Sequence, residues 1–379
     1  MLFTVGEAAE VTGARLLPGS DTGEGSDVPI LAVTHDSRQV QPGALFVALP
    51  GANTDGHLFL AEAFAGGAVA ALVSRMVNPP PSRPCLLVPD TVLALGRLAR
   101  WYRQRFRPVV VGITGSLGKT STKDLAAAVL GTRWQVLCNQ GNLNTEVGVP
   151  LTLLRLNGSV QVALIEMAMR GHGQIRYLAD LAAPSMGVIT NVSESHLELL
   201  GSVEEVARAK AELLEALPPG GLAVLNADDP RVRDMGRQFP GRVVYFALET
   251  AQPAEAAALV FASEVRSLGE EGTAFLLHLP VREPVPVHLP VPGRHQVSNA
   301  LAAAALGWIL GLSPEEIKRG LEHPRLSAMR MEVRRYGETV LINDAYNASP
   351  TSTAAALRVL MEVTGRRHLA VLADMLELG

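Results

Sequence analysis

Cysteine is nearly absent from this 379-residue chain: Cys85 and Cys138 are the only two, and they form no CxxC pair. That excludes a disulfide framework and a Cys-rich zinc site, and it suits a reducing, cytoplasmic setting. Aromatic residues make up only 4%, too few for a base-stacking surface. A net charge of −4 gives no general pull towards nucleic acid or an anionic membrane. No uninterrupted apolar run reaches the roughly 18 residues of a membrane span, and the best candidate, 300–312, is too short and carries glycine. The N-terminus, Met1-Leu-Phe-Thr-Val-Gly-Glu, lacks the basic-then-apolar pattern of a signal peptide. Lysine is scarce too. Of 33 basic residues only Lys119, Lys123, Lys210 and Lys318 are lysine. In an arginine-rich chain, a retained lysine marks a place where arginine's rigid, permanently charged fork does not serve.

What remains is an ordinary folding composition, 48% hydrophobic and 18% charged, over a length that predicts two or three domains. Residues 1–82 read as a small mixed unit with strands at 45–49 and 69–73 and a helix over 61–71. The stiff run Asn78-Pro-Pro-Pro-Ser-Arg-Pro closes it. Residues 83–326 read as an α/β domain. Apolar strands at 109–113, 162–165, 186–190, 222–225 and 243–246 alternate with helices, as in a largely parallel sheet covered on both faces. From 274 to 291 the apolar period drops to two, which predicts an edge hairpin containing prolines. Helices follow over 297–310 and after the capping box Ser313-Pro-Glu-Glu. Residues 327–379 read as one βαβ unit, with strands at 339–342 and 369–372 around a helix near 352–363. Two parallel strands are too few to stand alone, so this third domain is expected to be cut short.

Three features carry chemistry. The segment Val109-Val-Val-Gly-Ile-Thr-Gly-Ser-Leu-Gly-Lys-Thr places a glycine turn between a strand and a helix. Backbone N–H groups of Thr114, Gly115, Ser116, Leu117 and Gly118 can cradle phosphate there, with Lys119 on the β- and γ-phosphates and the Thr120 hydroxyl on Mg²⁺. The spacing departs from the strict phosphate-loop pattern, since Ile113 stands where the first glycine belongs. Glu166 ends one strand run and His196 follows another, so both fall at the sheet edge where α/β ligands bind. With Thr120 they form a candidate Mg²⁺ set. Each alone also reads as an ordinary cap, loop or surface residue. Lys210 lies on the apolar stripe of a helix, four residues from both Val206 and Leu214. It is either a snorkelling or paired lysine, or a site lysine carried as its carbamate.

The chain is similar to the Mur ligases, ATP-dependent amide-forming enzymes of peptidoglycan precursor synthesis. The resemblance rests on Gly112-Ile-Thr-Gly-Ser-Leu-Gly-Lys-Thr, Glu166, His196 with Gly201-Ser-Val-Glu-Glu, and Ala209-Lys210. It implies a three-domain architecture: an N-terminal α/β UDP-binding domain, a central phosphate-loop ATPase domain and a partial Rossmann-like C-terminal domain. Asp36-Ser-Arg and Asp55-Gly-His resemble the UDP-sugar domain, which implies substrate contacts by Ser37, Arg38, Asp55, Gly56 and His57. The loop Asn142-Leu-Asn-Thr-Glu-Val-Gly-Val-Pro implies further substrate contacts by Asn142, Asn144 and Thr145. Pro292-Gly-Arg-His-Gln-Val-Ser-Asn implies that His295 and Asn299 flank the adenine. Arg330 and Asn343-Asp-Ala-Tyr-Asn-Ala-Ser-Pro imply that Arg330 reaches ATP and Asp344 the ribose. Asn343 departs from the aspartate usual in the family.

The segment Leu372-Ala-Asp-Met-Leu-Glu-Leu-Gly looks most like the branch that adds D-alanyl-D-alanine to UDP-N-acetylmuramoyl-tripeptide. The resemblance then implies an acyl phosphate formed from the tripeptide carboxylate and ATP, followed by attack of the dipeptide amine. Thr120 and Glu166 would hold one Mg²⁺, and His196 and carbamylated Lys210 would serve a second. Lys119, Lys210, His196 and Glu166 are the expected catalytic group. A monomer closing around its substrates, with hinges in the proline run and at 325–330, completes the expectation. The alternatives are the ligase that adds diaminopimelate or lysine to the shorter UDP-dipeptide, a folylpolyglutamate synthase-like ligase, and a non-catalytic nucleotide-binding scaffold.

Overall fold

The computed structural model describes residues 1–17, 27–51, 54–78, 83–194, 197–248 and 258–375, with the backbone alone for 197 and 198. The chain divides into one unit of Met1–Arg107 with Asn142–Asn157 and another of Pro108–Gly141 with Gly158–Gly379.

In the first unit β1 (Phe3–Thr4) pairs with β3 (Pro29–Ile30). Helix α1 (Val5–Thr12) starts at a Thr4–Glu7 capping box and stops at Gly13 in the left-handed region. A five-stranded sheet runs β2 (Arg15–Leu16), β7 (Cys85–Leu87), β6 (Ala70–Val73), β5 (Ala44–Val47), β4 (Ala32–Thr34). β5 and β6 are buried along their whole lengths, as a central parallel strand requires. Helix α2 (Leu60–Ala65) is shorter than the expected 61–71: Gly66 and Gly67 end it and turn the chain into β6. Helix α3 (Thr91–Arg103), capped by Asp90, packs on α5 (Gly148–Leu153), which binds 142–157 to this unit. The expected division after residue 82 therefore cuts through this unit, because β7 lies beyond it and pairs Leu86 with Leu72 of β6. Of the proline run, residues 79–82 lie outside the described residues.

The second unit is built on a nine-stranded sheet in the order β16-β15-β14-β13-β12-β11-β8-β10-β9. These strands are β8 (Val109–Thr114), β9 (Val136–Cys138), β10 (Val162–Glu166), β11 (Met186–Ile189), β12 (Leu222–Asn226), β13 (Arg242–Ala247), β14 (Leu259–Ser267), β15 (Thr273–His278) and β16 (Val285–Leu289). β8 to β14 are parallel, and β15 and β16 form the expected antiparallel hairpin at the edge, where Pro286 needs no ladder partner on one side. Helices α4 (Lys119–Leu130), α10 (Arg294–Ile309) and α11 (Pro314–Glu322) pack on one face; α6 (Gln174–Ala182), α8 (Val203–Glu215) and α9 (Pro230–Gln238) cover the other. The short α7 (Leu197–Leu200) precedes α8. Alternation along β8 shows both layers. Val111 and Ile113 join the core shared with α4 and α10, whereas a side chain at Gly112 would meet Leu213 of α8. Gly187 of β11 faces the same leucine.

Residues 332–343 form an antiparallel hairpin of β17 (Glu332–Tyr336) and β18 (Thr339–Asn343), followed by α12 (Pro350–Glu362), capped by Ser349. The expected βαβ unit is not seen. Leu369, Val371 and Leu372 are exposed and form no strand, because a strand needs a hydrogen-bonding neighbour and none is present among the described residues. Among the described residues no helix is long and apolar enough to cross a membrane.

Candidate active site

The sheet reverses its strand order around β8, which has β10 on one side and β11 on the other. Their carboxyl ends open together, and in such sheets that crevice receives ligands. The loop 115–118 leaves β8 there and enters α4. Gly115 and Gly118 both have positive φ, +150° and +79°. A Cβ would collide with the Thr190 hydroxyl at the first and with the Asn299 carboxamide at the second, so glycine is needed on both counts. β11 laces the loop down. The Thr190 hydroxyl donates to Leu117 O (2.6 Å), Leu117 N–H donates to Asn191 Oδ1 (2.9 Å) and Ser116 N–H to Asn191 O (2.9 Å). The N–H groups of Lys119, Thr120 and Ser121, in the first turn of α4, have no intrahelical acceptor and present a positive helix end to an anion. Lys119 Nζ folds back on the loop, donating to Gly115 O (2.7 Å) and Ser116 O (3.1 Å). Burial lowers its pKa, Glu166 opposes that, and Arg330 adds to it.

Glu166 ends β10 opposite Ile113 and is 1% exposed. Its Oε1 accepts from the Thr120 hydroxyl at 3.0 Å, and its N–H donates to Asn139 Oδ1 at 2.7 Å. The hydroxyl and carboxylate expected to share a metal therefore lie side by side. Two hard oxygens suit Mg²⁺. Among the described residues no cluster of three His, Cys, Asp or Glu that could hold a metal ion is present. His196 lies outside the described residues.

Lys210 is 2% exposed on α8, between buried Val206 and Leu214. Burial, reinforced by the nearby positive Lys119, holds its pKa well below the ordinary lysine value. Among the described residues no carboxylate pairs with it. Lys123 is buried as well, and Lys318 makes a surface pair with Glu322 at 3.8 Å. Three of the four lysines thus gather at this end of the sheet.

The adenine-side expectations divide. Asn299 buttresses the loop: its Oδ1 accepts from the Thr122 hydroxyl (3.3 Å) and its Nδ2 donates to Gln296 (3.1 Å). His295, half-buried beside Gly293 and Val359, has its pKa pulled down to about 4 by burial. The Arg330 guanidinium stacks on the Tyr346 ring at 4.0 Å. Asp344 accepts from Met331 N–H at 3.0 Å; burial raises its pKa, against that bond and Arg330. A cavity of about 320 Å³ opens among Pro290, Val291, Leu326, Ser327, Arg330 and Met331. A larger one, about 530 Å³, lies among Leu214, Leu217, Pro218, Met235 and Phe239, near the amino ends of β12 and β13 and so away from the loop.

The expected substrate residues all fall in the first unit. Asp36 caps the turn holding Ser37 and Arg38; its carboxylate is bonded by Arg38 at 2.9 Å, which lowers its pKa to about 2. Asp55 caps the turn of Gly56 and His57. His57 is buried, with Nδ1 on Asp55 (2.6 Å) and Nε2 accepting from Ser74 N–H (2.9 Å). That Asp–His–Ser grouping is a tether, since the ring nitrogen facing the serine is already taken by backbone N–H. Asn142, Asn144 and Thr145 lead into α5, with Asn144 N–H on Asn142 O (2.7 Å) and Val149 N–H on Thr145 O (2.9 Å). Sequence reasoning missed Thr190, Asn191, Asn139 and Asp124. For the first three the available signal was a polar residue within two positions of the end of an apolar strand; Asp124, inside α4, offered none.

Family models for the Mur ligase catalytic domain, middle domain and glutamate ligase domain match residues 29–103, 113–307 and 329–379. A UDP-N-acetylmuramoyl-tripeptide--D-alanyl-D-alanine ligase from Escherichia coli is 40% identical over 357 residues, 94% of this chain and 77% of that protein. A crystal structure of MurF from Acinetobacter baumannii superposes with a TM-score of 0.88 at 31% identity, covering 100% of this chain and 80% of that one. MurF from Thermotoga maritima in complex with ADP gives 0.80 at 28% identity, covering 93% and 79%.

Proposed function

The chain belongs to the Mur ligase family, and we infer that it joins D-alanyl-D-alanine to UDP-N-acetylmuramoyl-tripeptide with ATP. It is a ligase of three-domain α/β architecture that forms a C–N bond in peptidoglycan precursor synthesis. The observation that carries this is the 40% identity to a ligase of that specificity across 94% of the chain.

The reaction balances in two steps. The tripeptide carboxylate takes the γ-phosphoryl group, giving an acyl phosphate and ADP. The dipeptide amine then attacks the acyl carbon; phosphate leaves and the amine loses a proton. Both steps build negative charge, which preorganised positive groups offset. The first-turn N–H groups of α4 receive phosphate oxygens. Lys119 exchanges its bonds to Gly115 O and Ser116 O for the β- and γ-phosphates. Asn299 keeps Gly118 in place beneath them. Thr120 and Glu166 hold Mg²⁺, which supplies neutralising charge at the phosphates. Arg330, stacked on Tyr346, faces the nucleotide, with His295 and Asp344 beside the base and ribose. Ser37, Arg38, Asp55, Gly56, His57, Asn142, Asn144 and Thr145 bind the UDP-tripeptide.

Lys210 fits the carbamate role in three respects: it is buried, short of a counter-charge, and biased to the neutral amine that adds to CO₂ with loss of one proton. The anion so formed would face Lys119. His196 joins it in the reading of a second Mg²⁺, on sequence alone.

The test is phosphate release from ATP by the full-length protein with UDP-N-acetylmuramoyl-tripeptide, with and without D-alanyl-D-alanine, in Mg²⁺ and bicarbonate. Release and an amide product only with both substrates are expected. Release with diaminopimelate or lysine and the UDP-dipeptide instead would overturn the specificity. Lys210→Ala should stay folded and lose ligation; near-normal ligation would refute the carbamate role.

A further inference from the structure

Lys123 and Asp124, one turn beyond the phosphate loop on α4, take no part in the reaction as described, yet both are buried, at 1% and 7% exposure. Their bonds run in two directions. Lys123 Nζ donates to Asn139 O (3.0 Å) and pairs with Asp124 Oδ1 (3.1 Å). Asn139 in turn accepts the N–H of Glu166 on its side chain (2.7 Å). On the other side Asp124 Oδ2 accepts from Ser327 N–H at 2.7 Å. Ser327 begins the segment that carries Arg330.

That segment needs holding. Met329 and Met331, on either side of Arg330, both sit in the left-handed region, at φ +58° and +51°. Such backbone costs on the order of 1–3 kcal/mol per residue and persists only where the surroundings over-determine it. Three carboxylates do so, and Glu332, which accepts the N–H of Met329 at 3.3 Å, stands between the other two. Asp124 takes the N–H of Ser327 at one end, and Asp344 takes the N–H of Met331 at the other (3.0 Å). The strained backbone between them fixes the guanidinium over Tyr346. Lys123 neutralises Asp124 in a dry setting and has two acceptors to meet. A guanidinium would bring five donors to the same place, which accounts for a lysine in an arginine-rich chain.

We propose that Lys123 and Asp124 are positioning residues of the nucleotide site, a buried tie from the strand end bearing Glu166 to the pinned segment that presents Arg330. The inference rests on the nucleotide reading of that site. It assigns neither residue a contact with substrate.

The experiment is a double-mutant cycle on the full-length protein, read by calorimetric titration with ADP and Mg²⁺ and by kcat and KM for ATP. Asp124→Asn keeps the shape and one acceptor but presents an amide to the ammonium. It should weaken ADP binding about tenfold in the unaltered background and less than about twofold when Arg330 is already alanine. Lys123→Met, which keeps the buried stem, should behave likewise and guards against a folding failure of the first variant. Equal fold losses with and without Arg330, or a lowered Tm with unchanged ADP affinity and KM, would overturn the tie while leaving the ligase reading intact. Failure of the unaltered protein to bind ADP would overturn the nucleotide reading and the tie with it.

Discussion

Replacing Lys210 by methionine should make the protein more stable and inactive at once. In the unfolded chain an ordinary lysine has a pKa of about 10.4, so removing its proton at pH 7 costs about 1.36 kcal/mol for each of about 3.4 pH units, or about 4.6 kcal/mol. The folded chain holds this side chain at 2% exposure, beside a second lysine and with no carboxylate partner among the described residues. It must either bear that cost or bury the charge, so about 4.6 kcal/mol is a ceiling on the penalty that methionine, of similar length, relieves. The sign follows from proton counts. The unfolded state binds the extra proton, so the lysine form gains stability as pH rises towards the unfolded pKa, and its deficit against the methionine form narrows. Denaturant unfolding of both proteins at pH 7, 8 and 9 in CO₂-free buffer reads this directly. A gain of about 2–4 kcal/mol at pH 7, shrinking by up to about 1.4 kcal/mol per pH unit, is expected. A methionine variant less stable at pH 7, or a gap that ignores pH, would refute the account of an unpaired buried amine.

Gly118→Ala forces a left-handed alanine against Asn299, displacing its bonds to Thr122 and Gln296; a loss of about 2–4 kcal/mol in unfolding and a loss of ADP binding are expected from calorimetry. His295 has a folded pKa of about 4 against an ordinary 6.5, so the stability tied to its neutral ring is complete above about pH 6.5 and is lost as pH falls through about 4. His295→Gln should flatten that acid limb of a Tm-versus-pH series, and an unchanged limb would refute it. At Gly320 of α11 a Cβ would strike the backbone of Val129 and approach Ala128 O at 2.8 Å, so Gly320→Ala should push α11 off α4 and cost about 2–3 kcal/mol in urea unfolding.

The central sheet was legible because its strands are continuous apolar runs between capped helices: 109–113, 162–165 and 222–225 each lie within one residue of their observed ends. The edge hairpin was legible from its period of two. β14 was missed because its exposed outer half dilutes the apolar signal, and β9 because three residues carry too little pattern. The return of 142–157 to the first unit was invisible, since its contact with α3 is tertiary and leaves no local period. At 369–372 an apolar run looked like a strand, but hydrophobicity does not supply a pairing partner. In the site, Thr120 and Glu166 were legible because strand ends converge in any parallel sheet. Asn299 was expected beside the adenine, and its contact with Gly118 was missed because only the packing of α10 on α4 brings it there. The scarcity of lysine pointed to Lys119, Lys123, Lys210 and Lys318 alike; the first three gather at the loop end of the sheet, and Lys318 is a surface pair with Glu322.

Leu213 rests over Gly112 and Gly187, two glycines side by side on β8 and β11. One leucine in a seat without side chains sets the height of α8 above the sheet, and α8 carries Lys210 three residues earlier. The height at which α8 carries that lysine is therefore set in part by the absence of side chains at Gly112 and Gly187. Alanine at Gly187, where the nearest leucine carbon would lie at 3.2 Å, would raise the helix by a few tenths of an ångström and leave the loop's own contacts alone. The same seat makes α8 an adjustable mount: the two residues beneath Leu213 set how far Lys210 stands from the loop without altering any group of the loop itself.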